Sequence, residues 1–334
     1  MQTVFLTGGT GFIGRHLVER LLTHGSAVRC LVRSPDRAGH LRRDGVRLVA
    51  GTLEAPAAWA ADLAGCDTVI HAGGLVAARR RSELFAVNGD AVGRLADASA
   101  ARGTPPVLVH VSSLAAAGPA PRRDVPRAEA DAAAPVSLYG ASKRAGEVEL
   151  ERRAARLPVT ILRPGIVFGP HDTKVAAMFQ SIDRFRLHVR MGFRDGPLSL
   201  LHAADLADLV VAAALRGERL DGDAGRGVYH ACDDREHPTY AALGRKIARA
   251  LGRSVLVMPL PVALAWPASA AVAAFWELLG QPSIVSPDKL REATAGSWAA
   301  SAAKARVGLG FAPATTLDTR IAETAAWLRA HGGL

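Results

Sequence analysis

Short, β-branched apolar runs alternate with amphipathic stretches through the first half of the chain. The runs predict strands over Thr3–Thr7, Ala27–Val32, Val46–Ala50, Thr68–His71, Val107–Ser112 and Val159–Leu162, with a further strand at Gly227–Ala231. Several are nearly continuous apolar runs, as expected of strands buried on both faces. Between them, Gly14–Thr23 and Asn88–Ala101 have the spacing of helices with one apolar face, and another helix is predicted from Ala203. Strands and helices in alternation predict an α/β fold, a doubly wound parallel sheet with helices on both faces. The pattern loosens after Pro170. Residues 170–197 and 233–334 are therefore predicted to form a smaller, mostly helical substrate module, and 1–169, with 198–232 returning, the core. No internal repeat is visible.

One stretch departs from this pattern. Ser254 to Trp276 contains no charged side chain. Its length could nominally span a bilayer, but Pro261 and Pro267 interrupt it, and it is alanine-rich. A buried helical lid is expected, with peripheral contact at a membrane interface as an alternative.

The 334 residues carry a formal net charge of +10. Arginine supplies nearly all the cations, in scattered positions; the longest local run is Arg79–Arg81, and neither it nor Arg122–Arg123 is interleaved with aromatic residues. No nucleic-acid partner is expected from that distribution. Cys30, Cys66 and Cys232 lie far apart, with no ligand spacing around them, so buried free thiols and no metal are expected. Met1–Thr7 lacks the basic and apolar regions of a signal peptide, which makes the cytoplasm the expected location.

The first candidate chemistry is the loop Gly8-Gly9-Thr10-Gly11-Phe12-Ile13-Gly14 between the first strand and first helix. Glycines in that setting let backbone N–H groups and the helix dipole meet a pyrophosphate. At the end of the second strand, where an acid would hold the ribose of NAD(H), the chain reads Arg33-Ser34-Pro35-Asp36-Arg37. A guanidinium there can grip a 2′-phosphate, so NADP(H) is the expected cofactor, with Arg33, Ser34 and Arg37 as its clamp and NAD(H) as the alternative.

Farther along, Tyr139 and Lys143 stand four residues apart, hence on one helical face. A neighbouring cation favours phenolate, so the Tyr139 pKa is expected to fall, fitting it to exchange a proton with a carbonyl or hydroxyl oxygen.

These motifs sit in a longer series. TGGTGFIG at Thr7–Gly14, the strand end Val111-Ser112-Ser113 with Gly118 beyond it, YGASK at Tyr139–Lys143, RPGIVFGP at Arg163–Pro170 and LHAADLAD at Leu201–Asp208 span nearly the whole chain. The chain resembles the extended short-chain dehydrogenase/reductases, of NAD-dependent epimerase/dehydratase type, and in character the branch of 3β-hydroxysteroid dehydrogenases and dihydroflavonol reductases. The resemblance implies a Rossmann core and a catalytic set of Tyr139 as acid/base, Lys143 on the nicotinamide ribose and Ser113 on the reacting oxygen, with Ser112 a lesser candidate. It implies cofactor contacts from Gly8, Gly11, Phe12, Ile13 and Gly14, from Thr52 and Leu53, from Ala72, Gly73 and Gly74, and from Pro164, Gly165, Ile166 and Val167. Thr52 departs from the aspartate common at that place in the family. Asn88 matches a bracing asparagine, read here as a helix cap, and His202 is expected to make a structural hydrogen bond.

The family's sugar-nucleotide members carry an arginine that holds the diphosphate, whereas here the matching residues are Leu198-Ser199-Leu200-Leu201-His202-Ala203. With Arg33 and the apolar stretch, this leads to the expectation of an NADP(H)-dependent ketone reductase or secondary-alcohol dehydrogenase acting on an apolar steroid-, flavonoid- or lipid-like small molecule. The alternatives are a nucleotide-sugar epimerase or dehydratase with retained NAD, and a non-catalytic NADP-binding sensor. A homodimer would be the commonest assembly for such a chain.

Overall fold

The computed structural model describes residues 2–193, 195–279, 283 and 286–334. Its strands are β1 (Thr3–Thr7), β2 (Ala27–Val32), β3 (Val46–Ala50), β4 (Thr68–His71), β5 (Val107–Val111), β6 (Val159–Pro164), β7 (Ile166–Phe168), β8 (Leu187–Met191), β9 (Leu200–His202), β10 (Val228–Ala231) and β11 (Leu256–Leu260). Seven of them form one sheet in the order β10-β6-β5-β4-β1-β2-β3, and every pairing in it is parallel. This is the Rossmann-type doubly wound sheet that the alternating pattern predicts.

Successive residues of a strand face opposite sides, and the two cores divide accordingly. Val4 and Leu6 join Ile70 and Val109 on one face, under helices Phe12–Thr23 and Ala203–Arg216. Phe5 joins Val69, Leu108 and Ile161 on the other, under helices Ala91–Ala100 and Leu138–Glu151. From β1 the chain proceeds outward to β2 and β3, then crosses to β4 on the opposite side. That reversal opens a crevice at the carboxyl ends of β1 and β4, the usual ligand position in such sheets.

A third core gathers Phe168, Phe179, Leu200, Ile247, Leu317 and Ile321. It joins helices Ala176–Phe185, Tyr240–Leu251 and Leu317–Ala330 beside the short pairs β7-β9 and β8-β11. Helix Ala303–Leu309 instead packs on the main core, through Ala305 and Leu309.

Two local expectations change. Asn88 begins no helix; it lies in a π-helical segment, Ala86–Asp90, between helices Arg81–Phe85 and Ala91–Ala100. Of the two prolines in the apolar stretch, Pro261 does interrupt it, between β11 and the helix Val262–Leu278, whereas Pro267 does not, because that helix runs through it. The ring removes the N–H that would have met the Ala263 carbonyl, and Ala263 is exposed, where water can take that place. Among the described residues no helix is long and apolar enough to cross a membrane.

Candidate active site

The glycine loop closes tightly on the β4 end. Gly8 has φ +81°, and a Cβ there would stand 2.5 Å from the Gly73 nitrogen; a Cβ on Gly14 would stand 2.1 Å from the Gly8 carbonyl oxygen. Only glycine satisfies both the backbone angle and the approach. The helix that follows has Gly11 at its N-cap, with no side chain to occupy the first-turn N–H groups. Such N–H groups, at the positive end of a helix dipole, are suited to an anion, so the cradle fits a dinucleotide pyrophosphate. Phe12 and Ile13 are half-buried beside it, as are Ala72 and Gly73 on the facing loop.

Ser137 caps helix Leu138–Glu151, accepting from Gly140 N at 2.9 Å, and so places Tyr139 and Lys143 one turn apart. The Lys143 ammonium is buried and donates to the Val111 carbonyl at 2.9 Å, at the end of β5. Ser113, just beyond that strand, accepts from Ala115 N at 3.1 Å and is hydrogen-bonded to the Tyr139 phenol. Burial lowers the Lys143 pKa to about 8, opposed by the Glu147 carboxylate.

Tyr139 departs from expectation. Burial pushes its phenol up to about 12, opposed by the Ser113 hydrogen bond and reinforced by the Glu292 carboxylate. The cation that was expected to depress it is held by the Val111 carbonyl. In this state the phenol is a protonated acid.

Ser112 is turned to another task. Its hydroxyl donates to Glu147 Oε1 at 2.6 Å, within a buried pair that Glu147 makes with Arg163 at 2.7 Å. Burial works to raise the Glu147 pKa, but Arg163, with help from Ser112, holds it below the usual range. The pair fastens the end of β5 to that of β6, next to Pro164, Gly165 and Ile166 on the pocket wall; Val167 follows, half-buried. His202 caps helix Ala203–Arg216 by accepting from Ala204 N, the structural role expected of it. The three cysteines are buried and free.

At the other end of the crevice, Arg33, Ser34 and Arg37 are exposed. Neither guanidinium makes a hydrogen bond or ion pair among the described residues. Thr52 is held through its backbone, its carbonyl accepting from Trp59 Nε1 at 2.7 Å, and Leu53 packs at the edge of the core.

Three further residues contribute, of which only Asn88 carries a sequence signal, its match to a bracing asparagine. Asn88 accepts from Leu75 N at 2.9 Å and donates to the Leu75 carbonyl at 2.8 Å and Ser142 Oγ at 2.9 Å, tying the loop after β4 to the Tyr139 helix. Asp288 accepts from Leu138 N at 2.7 Å, and Lys289 places its ammonium 4.2 Å from the Tyr139 ring centroid. The last two come from helix Pro287–Thr294, about 150 residues away along the chain.

Beside Ser113 and Tyr139 lies a cavity of about 500 Å³, walled by Val189, Met191, Leu198, Leu260 and Val272. Arg190, Asp195, Lys289 and Glu292 also border it. A ligand that fills it must carry polar groups to meet theirs.

The model of the NAD dependent epimerase/dehydratase family matches residues 4–225. The chain belongs to that family. It is an NAD(P)-dependent oxidoreductase of the extended short-chain dehydrogenase/reductase type. Over 334 residues it is 32% identical to the ceramide reductase of Caulobacter vibrioides, covering 99% of this chain and 96% of that protein. The fold matches MoeE5 in complex with UDP-glucose and NAD, with a TM-score of 0.75 at 24% identity over 98% of this chain and 99% of the other. It also matches the Thermus thermophilus UDP-glucose 4-epimerase complex with NAD, with a TM-score of 0.74 at 21% identity over 98% of this chain and 99% of the other.

These findings correct two expectations. The solved relatives whose cofactor is named hold NAD, which overturns NADP(H). The physical reason is visible at the β2 end, where exposed, unpartnered arginines make no built phosphate clamp. An apolar small molecule is likewise overturned as the substrate: the solved relatives named with a substrate-like ligand hold UDP-sugars, and Arg190, Asp195, Lys289 and Glu292 border the cavity here.

Proposed function

We propose that the protein carries out NAD-dependent hydride transfer at the carbinol or keto carbon of a polar-headed substrate, with Tyr139 as the acid/base. The observation that carries this reading is the Ser113–Tyr139–Lys143 set, held together at the cavity edge beside the glycine cradle. NAD(H), bound along Gly8–Gly14 and Pro164–Val167, would supply or accept the hydride. Ser113 orients the reacting oxygen, and the protonated Tyr139 phenol gives its proton to a carbonyl oxygen during reduction. Lys143, an ammonium below pH 8, would hold the cofactor's ribose. The Glu147–Arg163 pair and Asn88 position these groups and touch no reacting atom.

Two substrate classes have support. A nucleotide sugar, epimerised or dehydrated with NAD retained, is favoured by the solved relatives. A long-chain amide or keto amphiphile, turned over with exchangeable NAD(H), is favoured by the full-length likeness to a ceramide reductase and by the apolar walls beneath a polar border. The purified protein should be denatured and its supernatant assayed for released NAD, then fresh protein offered a nucleotide sugar with no added cofactor, or NADH with a 3-keto long-chain amide. Retained NAD and sugar turnover select the first class, and an empty protein that oxidises NADH with the amide selects the second. No turnover of either, with NADH binding intact, would remove the redox reading.

A further inference from the structure

Helix Val262–Leu278 is apolar on every side over most of its length, with Ser269 and, near its end, Glu277 as its polar residues, a character that ordinarily belongs to a buried helix. Here it lies at the surface. Ala265 and Ser269 are buried, and with Val272 they face the cavity beside Tyr139. Leu264, Phe275 and Leu278 are exposed at 61%, 57% and 87%, and Trp266 and Trp276 are also exposed. The neighbouring ribbon extends the surface, since Leu256 and Met258 on β11 are exposed, as is Phe193 beyond β8. A patch of this kind on a single chain marks an interaction site.

The rim identifies the occupant. Arg291 lies 5.6 Å from the Trp266 ring centroid and is 54% exposed, while its partner Asp288 is only 18% exposed. Arg253 likewise shows 42% against 23% for Asp183. In each pair the cation is outward and the acid turned in, so the border presents positive charge to whatever covers the helix. Apolar side chains, two tryptophans and a basic rim are the attributes of a helix lying in the plane of an anionic membrane surface. At 17 residues, about 26 Å at 1.5 Å per residue, it is too short to span.

We propose that this helix docks the enzyme on an anionic lipid bilayer, with its inner face serving as one wall of the substrate cavity, so that an amphiphile passes from the bilayer interface along the helix to Tyr139. The passage rests on the amphiphile reading above. The docking does not, and it is measured without turnover, so failure of one is distinguishable from failure of the other.

The test is flotation of the full chain with vesicles of phosphatidylcholine alone or mixed with phosphatidylglycerol. The protein should float with the mixed vesicles and much less with the neutral ones. Phe275→Glu and Leu264→Ser, at exposed positions away from the cavity lining, should each lower partitioning on the order of tenfold while NADH binding stays unchanged. Without any variant, brominated acyl chains should quench tryptophan emission, through Trp266 and Trp276. Absence of both flotation and quenching would overturn the proposal, as would equal flotation with neutral vesicles. It would also be overturned by binding insensitive to both substitutions, or by a stable dimer, dissociated by Phe275→Glu, that excludes vesicles.

Discussion

The two ends of the crevice are built differently. At the Tyr139 end, groups from the ends of β5 and β6, from the segment Ala86–Asp90, from helix Leu138–Glu151 and from a helix distant in sequence converge, and most are buried and hydrogen-bonded. At the β2 end, Arg33 and Arg37 stand in solvent without partners among the described residues. A residue type is therefore a weak guide to a site unless the fold also holds the side chain. A guanidinium in water can meet a phosphate, but nothing fixes it for that purpose. An ammonium buried against a carbonyl has lost its solvent already and is committed to one geometry.

The largest expected effect is at the braced end. Tyr139→Phe removes only the phenolic oxygen, leaving the ring under Lys289 and the helix intact. Reduction should slow by about 10²- to 10⁴-fold, the range for loss of a general acid, while NADH affinity, read by fluorescence titration, stays within about twofold. Unchanged turnover would mean that the braced end is not where protons move.

Lys143→Met should cost on the order of 10²-fold, as loss of one well-placed charged donor does, and should also change the pH profile. Its folded pKa, lowered by burial to about 8, means the ammonium is lost as pH rises through that value. In the parent protein kcat/KM for reduction should therefore fall above pH 8, and the variant should lack this limb. The same shift has a stability consequence. Between about 8 and the ordinary lysine value of 10.5, the unfolded chain binds more protons than the folded one, so the cost of burying Lys143 eases as pH rises. A kcat/KM profile that is flat across pH 8 in the parent would remove Lys143 from the mechanism.

The contrast between the ends also explains what could be read from the sequence. Strand positions β1 to β4 match the apolar runs residue for residue, because β-branched residues in short runs have few other uses in an alternating chain. The glycine loop was legible because steric exclusion acts between near neighbours. Tyr139 and Lys143 were legible through helical spacing, but the direction of the Tyr139 shift was not, since burial depends on the remote helix that carries Lys289 and Glu292. Asn88 was read as a cap from its place before a helical pattern; its bonds to Leu75 and Ser142 require knowing which loop lies across from it. Arg33 misled for the converse reason, because its local sequence matched a clamp that the fold does not assemble. The polar border of the cavity was hidden likewise, its four residues coming from segments up to about 100 positions apart.

A smaller effect is expected from Asn88→Ala, which leaves the Leu75 N–H and carbonyl without their partner. Loss of these bonds should cost about 1–3 kcal/mol of stability, read as a lower urea midpoint. It should also lower kcat about tenfold without moving the pH limb assigned to Lys143. A purely structural brace would lower the midpoint and leave kcat alone, which would confine the functional end of the crevice to Ser113, Tyr139 and Lys143.

The smallest effect belongs to Arg33→Ala. An exposed, unpaired guanidinium contributes little to the folded state, and the ribose of NAD presents it with no charge to neutralise, so both stability and NADH affinity should stay within about twofold. Charge reversal sharpens the measurement. Arg33→Asp places at the end of β2 the acid that many dinucleotide sites use for the ribose hydroxyls, and NADH should bind equally well or better. If Arg33→Ala instead weakened NADH more than about tenfold, the side chain would be making a contact in the complex that the exposed conformation does not reveal. The two ends of the crevice would then differ in when they become ordered, and the distinction drawn between them would hold only before the dinucleotide binds.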